Sequence, residues 1–161
     1  MQCRSGCHDC CHVRLTVTRV EAAAICDAIS TWPAEKRAAL AANVAAAPAD
    51  RCAALDPAGR CTIYAVRPIV CRSHGVPIRM RGALPVIQAC FRNFTARGPA
   101  AADPDCILDQ ETISALLLAV DRSSATLRVA ARPGEAGACD RAAGGGDRVD
   151  LAALLAEVTA G

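Results

Sequence analysis

Large aromatic side chains are almost missing from this chain: Trp32, Tyr64, Phe91 and Phe94 make up 2% of its 161 residues. Rings supply the largest buried areas a core has, so the 53% of AVILMFWYC residues must work through Ala, Leu, Val and Ile. A core of small hydrophobes is thin, and a metal crosslink would add to its stability. Lysine is scarcer still, with Lys36 alone. Few lysines and few rings for base stacking argue against nucleic acid as a partner. No apolar run reaches the roughly 18 residues that a membrane-crossing helix needs. The opening Met1-Gln-Cys-Arg-Ser-Gly-Cys7 has neither the basic start nor the apolar stretch of a secretory signal. A cytoplasmic, reducing setting is therefore expected, where clustered cysteines bind metal or do redox work rather than form structural disulfides. Nor is there a pair of carboxylates, a nucleophile beside a base, or a phosphate loop to announce an enzyme.

Acidic residues are also missing between Asp56 and Asp103, a stretch that holds Arg60, Arg67, Arg72, Arg79, Arg81, Arg92 and Arg97. Such a field would offset the charge of nearby thiolates and lower their pKa, or else offer a surface to anions.

What the chain has in plenty is cysteine, 11 in all. Four fall in Cys3-Arg-Ser-Gly-Cys7-His-Asp-Cys10-Cys11, and Cys52, Cys61 and Cys71 follow in a segment rich in turns. Burial alone does not explain thiols at spacings of three and four, because core cysteines follow the period of their element. Close pairs in turns bring sulfurs to one point, as thiolate metal sites require. Cys7 and Cys10 have the C-x2-C spacing, whereas neighbouring Cys10 and Cys11 are expected to diverge and to serve two ions, or one of them none. With Cys90, the candidate ligands are Cys3, Cys7, Cys10, Cys11, Cys52, Cys61, Cys71 and Cys90. They could build two four-sulfur sites, one shared multinuclear site, or one iron–sulfur cluster with sulfurs to spare. Cys26 reads as core within a helix, and Cys106 and Cys139 as isolated loop residues. His8, His12 and His74 flank the candidate ligands and could bind metal or move a proton. Arg67 and Arg72 could donate to sulfur or hold an anionic substrate.

The pattern of local signals predicts a mainly α fold with a small irregular or β metal-bearing subregion, in a single domain. Val13 to Val17 alternates like a short strand. Thr18-Arg-Val-Glu21 has the capping-box form, opening a helix to Ser30 with Val20, Ala23, Ala24, Ile25 and Ile29 on its buried face. Thr31 is placed to cap a second helix, Ala34 to about Ala47, which stops at Pro48. Asp56-Pro-Ala-Gly59 marks a turn between Cys52 and a β-prone Cys61-Thr-Ile-Tyr64. Arg67-Pro68 opens a short helix with Cys71, and irregular backbone is expected from Gly75 to Val86. Residues 109 to 123 form the clearest helix. The division is then a cysteine-cluster metal-binding domain over 1–130, a flexible linker over 131–149 centred on Gly144-Gly-Gly146, and a C-terminal helix over 150–161 docking on the same domain.

Two blocks of the chain resemble the YkgJ-like cysteine-cluster family, of CxxCxxCC type, described as zinc- or iron-chelating. One is the Cys3, Cys7, Cys10-Cys11 cluster, in which the first spacing is one residue longer than in the family. The other is Cys52-Ala-Ala-Leu-Asp-Pro-Ala-Gly-Arg-Cys61-Thr-Ile-Tyr-Ala-Val-Arg-Pro-Ile-Val-Cys71-Arg. The resemblance, extending over about residues 3 to 94 with Cys90, implies zinc or iron as cofactor, including an iron–sulfur cluster, and a metal ion as the partner. It leaves open a metal-binding protein, an iron–sulfur or metal-dependent redox or group-transfer enzyme, and a thiol-redox protein using Cys7 and Cys10.

Overall fold

The computed structural model describes residues 2–82, 84, 86–131 and 148–160. The stretch from Pro133 to Asp147, with Cys139 and the glycine triplet, lies outside them. Among the described residues no helix is long and apolar enough to cross a membrane.

The capping box at Thr18 forms as its residue types dictate. The Glu21 N–H donates to the Thr18 hydroxyl at 3.4 Å, and the Thr18 N–H and hydroxyl both donate to Glu21 Oε2 at 2.9 Å. It starts α1 (Arg19–Ser30), which buries Ala22, Ala23, Ile25, Cys26 and Ile29. The spacing of 22, 25, 26 and 29 is one helical ridge. It is turned slightly from the expected face, leaving Ala24 exposed and Val20 half-buried. Thr31 does not cap the second helix. Pro33 takes the cap position of α2 (Ala34–Ala46), and the Thr31 hydroxyl finishes α1 by donating to the Ala28 carbonyl at 2.8 Å. A cap must directly precede the first helical residue, and Thr31 lies too far back.

Ahead of α1 runs β1 (Thr16–Thr18), paired antiparallel with β5 (Arg148–Asp150) so that Val17 faces Val149. Arg148 and Val149, which composition placed in the linker, are thus strand, with Val149 1% exposed. The Asp150 carboxylate then accepts from the Ala153 N–H at 2.9 Å and starts α5 (Leu151–Ala160). Leu151, Leu154 and Leu155 of α5 enter one core with Val17, Ile25, Ile29, Leu40 and Ile63. Each such side chain contributes roughly 1.5–3 kcal/mol by leaving water. Cys52 belongs to this core, and Cys11 and Cys61 pack against it.

The middle of the chain carries α3 (Ile69–Ser73), with Pro68 at its cap, and β2 (Ile78–Met80), β3 (Val86–Gln88) and β4 (Leu108–Asp109). These strands form a sheet in the order β3-β2-β4, antiparallel and then parallel. Irregular backbone was expected there. The turn residues between Met80 and Val86 instead separate two strands, and the distant Leu108 supplies the third. Next comes α4 (Gln110–Ala131), begun by the Asp109 carboxylate accepting from the Thr112 N–H at 2.9 Å and packed on α1. The described residues are about half helical, 3-10 turns included, with a few strands, which agrees with the mainly α expectation.

Candidate metal centre

The first cysteine block is a chain of tight turns. Gly6 adopts φ +82°, where side chains are disfavoured, and lets the Cys7 N–H donate to the Arg4 carbonyl at 3.0 Å. A 3-10 turn over Asp9–Cys11 follows, with the Cys11 N–H on the His8 carbonyl at 2.8 Å. The expectation that Cys10 and Cys11 diverge holds for a strand, not for this turn. Their sulfurs lie 3.9 Å apart. Two sulfurs on one tetrahedral zinc would be about 3.8 Å apart, given bonds of about 2.3 Å.

The second block folds around the predicted Asp56–Gly59 turn. Asp56 accepts from the Arg60 N–H and side chain, each at 2.8 Å, and Leu55 and Cys61 form one antiparallel bridge. The β-prone run ends at that bridge. The Thr62 N–H and hydroxyl both donate to the Ala54 carbonyl, at 2.8 and 2.7 Å, and residues Tyr64–Val66 turn into a 3-10 helix rather than continuing a strand.

Four links bring these blocks and the Cys90 turn together. The Cys52 N–H donates to the Cys11 carbonyl at 2.8 Å. Gly59, at φ +73°, lies so close to the His8 ring that a Cβ would overlap it. Asp9 pairs with Arg92, which holds the Asp9 carboxyl below the usual range. Glu21, already the cap of α1, uses its other oxygen to accept from the Ile69 N–H at 2.8 Å, at the start of the helix that carries Cys71.

The thiols so gathered act on one another. Burial is the first cause that pushes Cys10, Cys11, Cys52, Cys61 and Cys71 up, Cys71 to about 12. The repulsion of neighbouring thiols adds to it: Cys11 feels Cys10, Cys52 and Cys61, and Cys71 feels Cys52, Cys61 and Cys10. Cys10 feels Cys7 and Cys90 as well. Cys10 is therefore the junction between an inner group (Cys11, Cys52, Cys61, Cys71) and an outer one (Cys7, Cys90). Arg14 and Arg67 pull Cys52, Cys61 and Cys71 the other way, yet desolvation outweighs them. For these three thiols the expected lowering by arginine is present but smaller than the rise from burial.

Arg67 and Arg72 instead serve the backbone. Arg67 lies over the Tyr64 ring and donates to the Tyr64 carbonyl at 3.0 Å, and Arg72 donates to the carbonyls of Arg67 and Ala65 at 2.9 and 2.6 Å. His8 and His12 touch each other, with Nδ1 and Nε2 3.2 Å apart, and His74 is exposed at the end of α3. Cys26 is 2% exposed in the core but is disulfide-bonded rather than the plain core thiol expected, and Cys106 is exposed. A cavity of about 500 Å³ opens beside Cys7, walled by Arg4, Asp9, Phe91 and Arg92. Among the described residues, no three Cys, His, Asp or Glu side chains close into a shell that could hold an ion. The segments are gathered; the expected metal-bearing subregion is not formed as a coordination site.

Residues 2–87 match the CxxCxxCC family, whose description reads "Putative zinc- or iron-chelating domain". The chain belongs to this family. The CxxCxxCC match takes in Cys3, Cys7, Cys10, Cys11, Cys52, Cys61 and Cys71 and ends before Cys90. No curated protein and no solved structure matches the chain. The donors fit the family's description. Thiolates with imidazoles nearby suit zinc and iron, whereas magnesium and calcium take oxygen. Sequence reasoning missed Asp9, Gly59 and Arg92, whose partners lie far along the chain; only Gly59, in a marked turn, carried a local signal.

Proposed function

We propose that this CxxCxxCC protein holds zinc or iron through its clustered thiolates. Four of the five thiols Cys10, Cys11, Cys52, Cys61 and Cys71 would hold an inner ion, and Cys3, Cys7 and Cys90 would complete an outer set that meets it at Cys10. The observation that carries this reading is the 3.9 Å approach of the Cys10 and Cys11 sulfurs, in a turn whose Cys11 carbonyl accepts from the Cys52 N–H of the second block. Two sulfurs at that separation can share one cation once their protons leave. The metal would crosslink the N-terminal turn to the middle loop, and iron would add the ability to carry an electron. The chain's own contribution is to bury the thiols on one side against Leu55, Ile63 and α1, and to clamp the blocks through Asp9, Arg92 and Glu21.

Metal analysis and a visible spectrum of protein purified without oxygen test the proposal. Zinc without colour supports a structural or trafficking role. Iron with acid-labile sulfide supports an iron–sulfur centre and electron transfer. Cys61→Ser and Cys71→Ser should each lower metal content and melting temperature together, because the energy of metal binding is here also energy of folding. Full metal content in both variants would refute the ligand assignment.

A further inference from the structure

Asn93 is a buried polar side chain, 4% exposed, that lies beyond the stretch matched to the family. Its amide is used on every side. The carbonyl oxygen accepts from the Gln2 N–H, while Nδ2 donates to the Gly75 carbonyl at 2.7 Å and to the Cys3 sulfur at 3.5 Å. The Gln2 and Gly75 bonds fix which end of the amide is which, and so leave one N–H for sulfur. The position of Asn93 is in turn set by the backbone. Its N–H closes a turn on the Cys90 carbonyl at 2.8 Å, and Phe94 after it takes φ +59°, a conformation that a non-glycine residue adopts at a cost. Arg92, just before it, pairs with Asp9 between Cys7 and Cys10.

We infer that Asn93 is the positioning residue of the outer thiol set: it ties the Cys3 segment to the turn after Cys90 and to Gly75, and it donates a hydrogen bond to the Cys3 sulfur as that sulfur binds metal. This rests on the metal reading above. One buried amide holds the Cys3 segment at both its backbone and its sulfur. An N–H donated to a ligand sulfur orients that ligand and tunes its bond, and losing such a partner costs metal affinity.

The test titrates zinc into reduced, metal-free, full-length protein against a chromophoric chelator, using wild type, Asn93→Asp, Cys3→Ser and the double variant. Asn93→Asp has the same shape but can donate neither to the Cys3 sulfur nor to the Gly75 carbonyl. It should weaken the outer zinc roughly 10–100-fold, as Cys3→Ser does, and the double variant should be no weaker than Cys3→Ser alone. Wild-type affinity in Asn93→Asp, or losses that add in the double variant, would overturn the inference. A second measurement needs no metal and no variant. Amide hydrogen exchange should find Gln2 protected in the metal-free wild type, and exchange at the rate of an unstructured chain would overturn the tether outright. Protection of Gln2 in a wild-type protein that takes up neither zinc nor iron would instead refute the metal reading and the ligand role of Cys3, with the tether standing.

Discussion

Gly59 shows how much a single residue decides in this protein. It combines a left-handed backbone, φ +73°, with contact against the His8 ring. Alanine there must bear the backbone strain and also push His8 aside, and His8 lies between Cys7 and Cys10. Gly59→Ala should cost about 1–2 kcal/mol for the backbone alone, read from urea unfolding, and should weaken metal uptake beyond that. A substitution on the open side of the same loop, Ala58→Ser, should change neither by more than about 0.5 kcal/mol. The thiols obey a similar local logic. Their place at the edge of an apolar core pushes Cys52, Cys61 and Cys71 up, against the pull of nearby arginines.

Among the elements, α1 and α3 are joined by one carboxylate. Glu21 satisfies the first turn of α1 with one oxygen and the first turn of α3 with the other. Glu21→Ala should cost about 1–2 kcal/mol from the lost cap and the lost bond to Ile69. Thr18→Ala should cost about 1 kcal/mol. Only the first variant frees α3, so only Glu21→Ala should speed alkylation of Cys71 in the metal-free protein. The capping box itself was readable in the sequence, because Thr18 and Glu21 are three residues apart and the chemistry is local. The same holds for the turn at Asp56–Gly59 and the start of α3 after Pro68. The second use of Glu21 was not readable, since its partner lies 48 residues away. Nor was the sheet of β2, β3 and β4, whose third strand comes from Leu108, or the pairing of Val149 with Val17. Cys10 and Cys11 were misread for a different reason: the spacing is local, but whether neighbours diverge depends on whether the backbone is extended or turned.

At the scale of the whole molecule, the clustered thiols make stability depend on pH in a definite direction. Cys10, Cys11, Cys52, Cys61 and Cys71 all have folded values above the ordinary thiol value of 9.0. In alkaline solution the unfolded chain releases protons that the folded chain still holds, and this favours unfolding. The stabilisation is full below about pH 9 and is lost as pH rises toward the folded value of Cys71, about 12. The melting temperature of the metal-free protein should therefore fall across that window. With zinc bound the fall should shrink, because the protons have already been displaced. The same protons appear as the metal enters: an ion taking four of these thiols at neutral pH should release about four, as calorimetry in buffers of different ionisation enthalpy would show. Long-range closure has its own consequence, in time. Arg148 is 132 residues from Thr16, so the strand that seals the core is made long after the first cysteines. At a synthesis rate of about 5–20 residues per second, the thiol blocks wait on the order of ten seconds before β5 arrives. During that interval they are uncovered and already close in sequence to the turns that gather them. A nascent chain thus offers an ion its most open access before the fold exists to guard it.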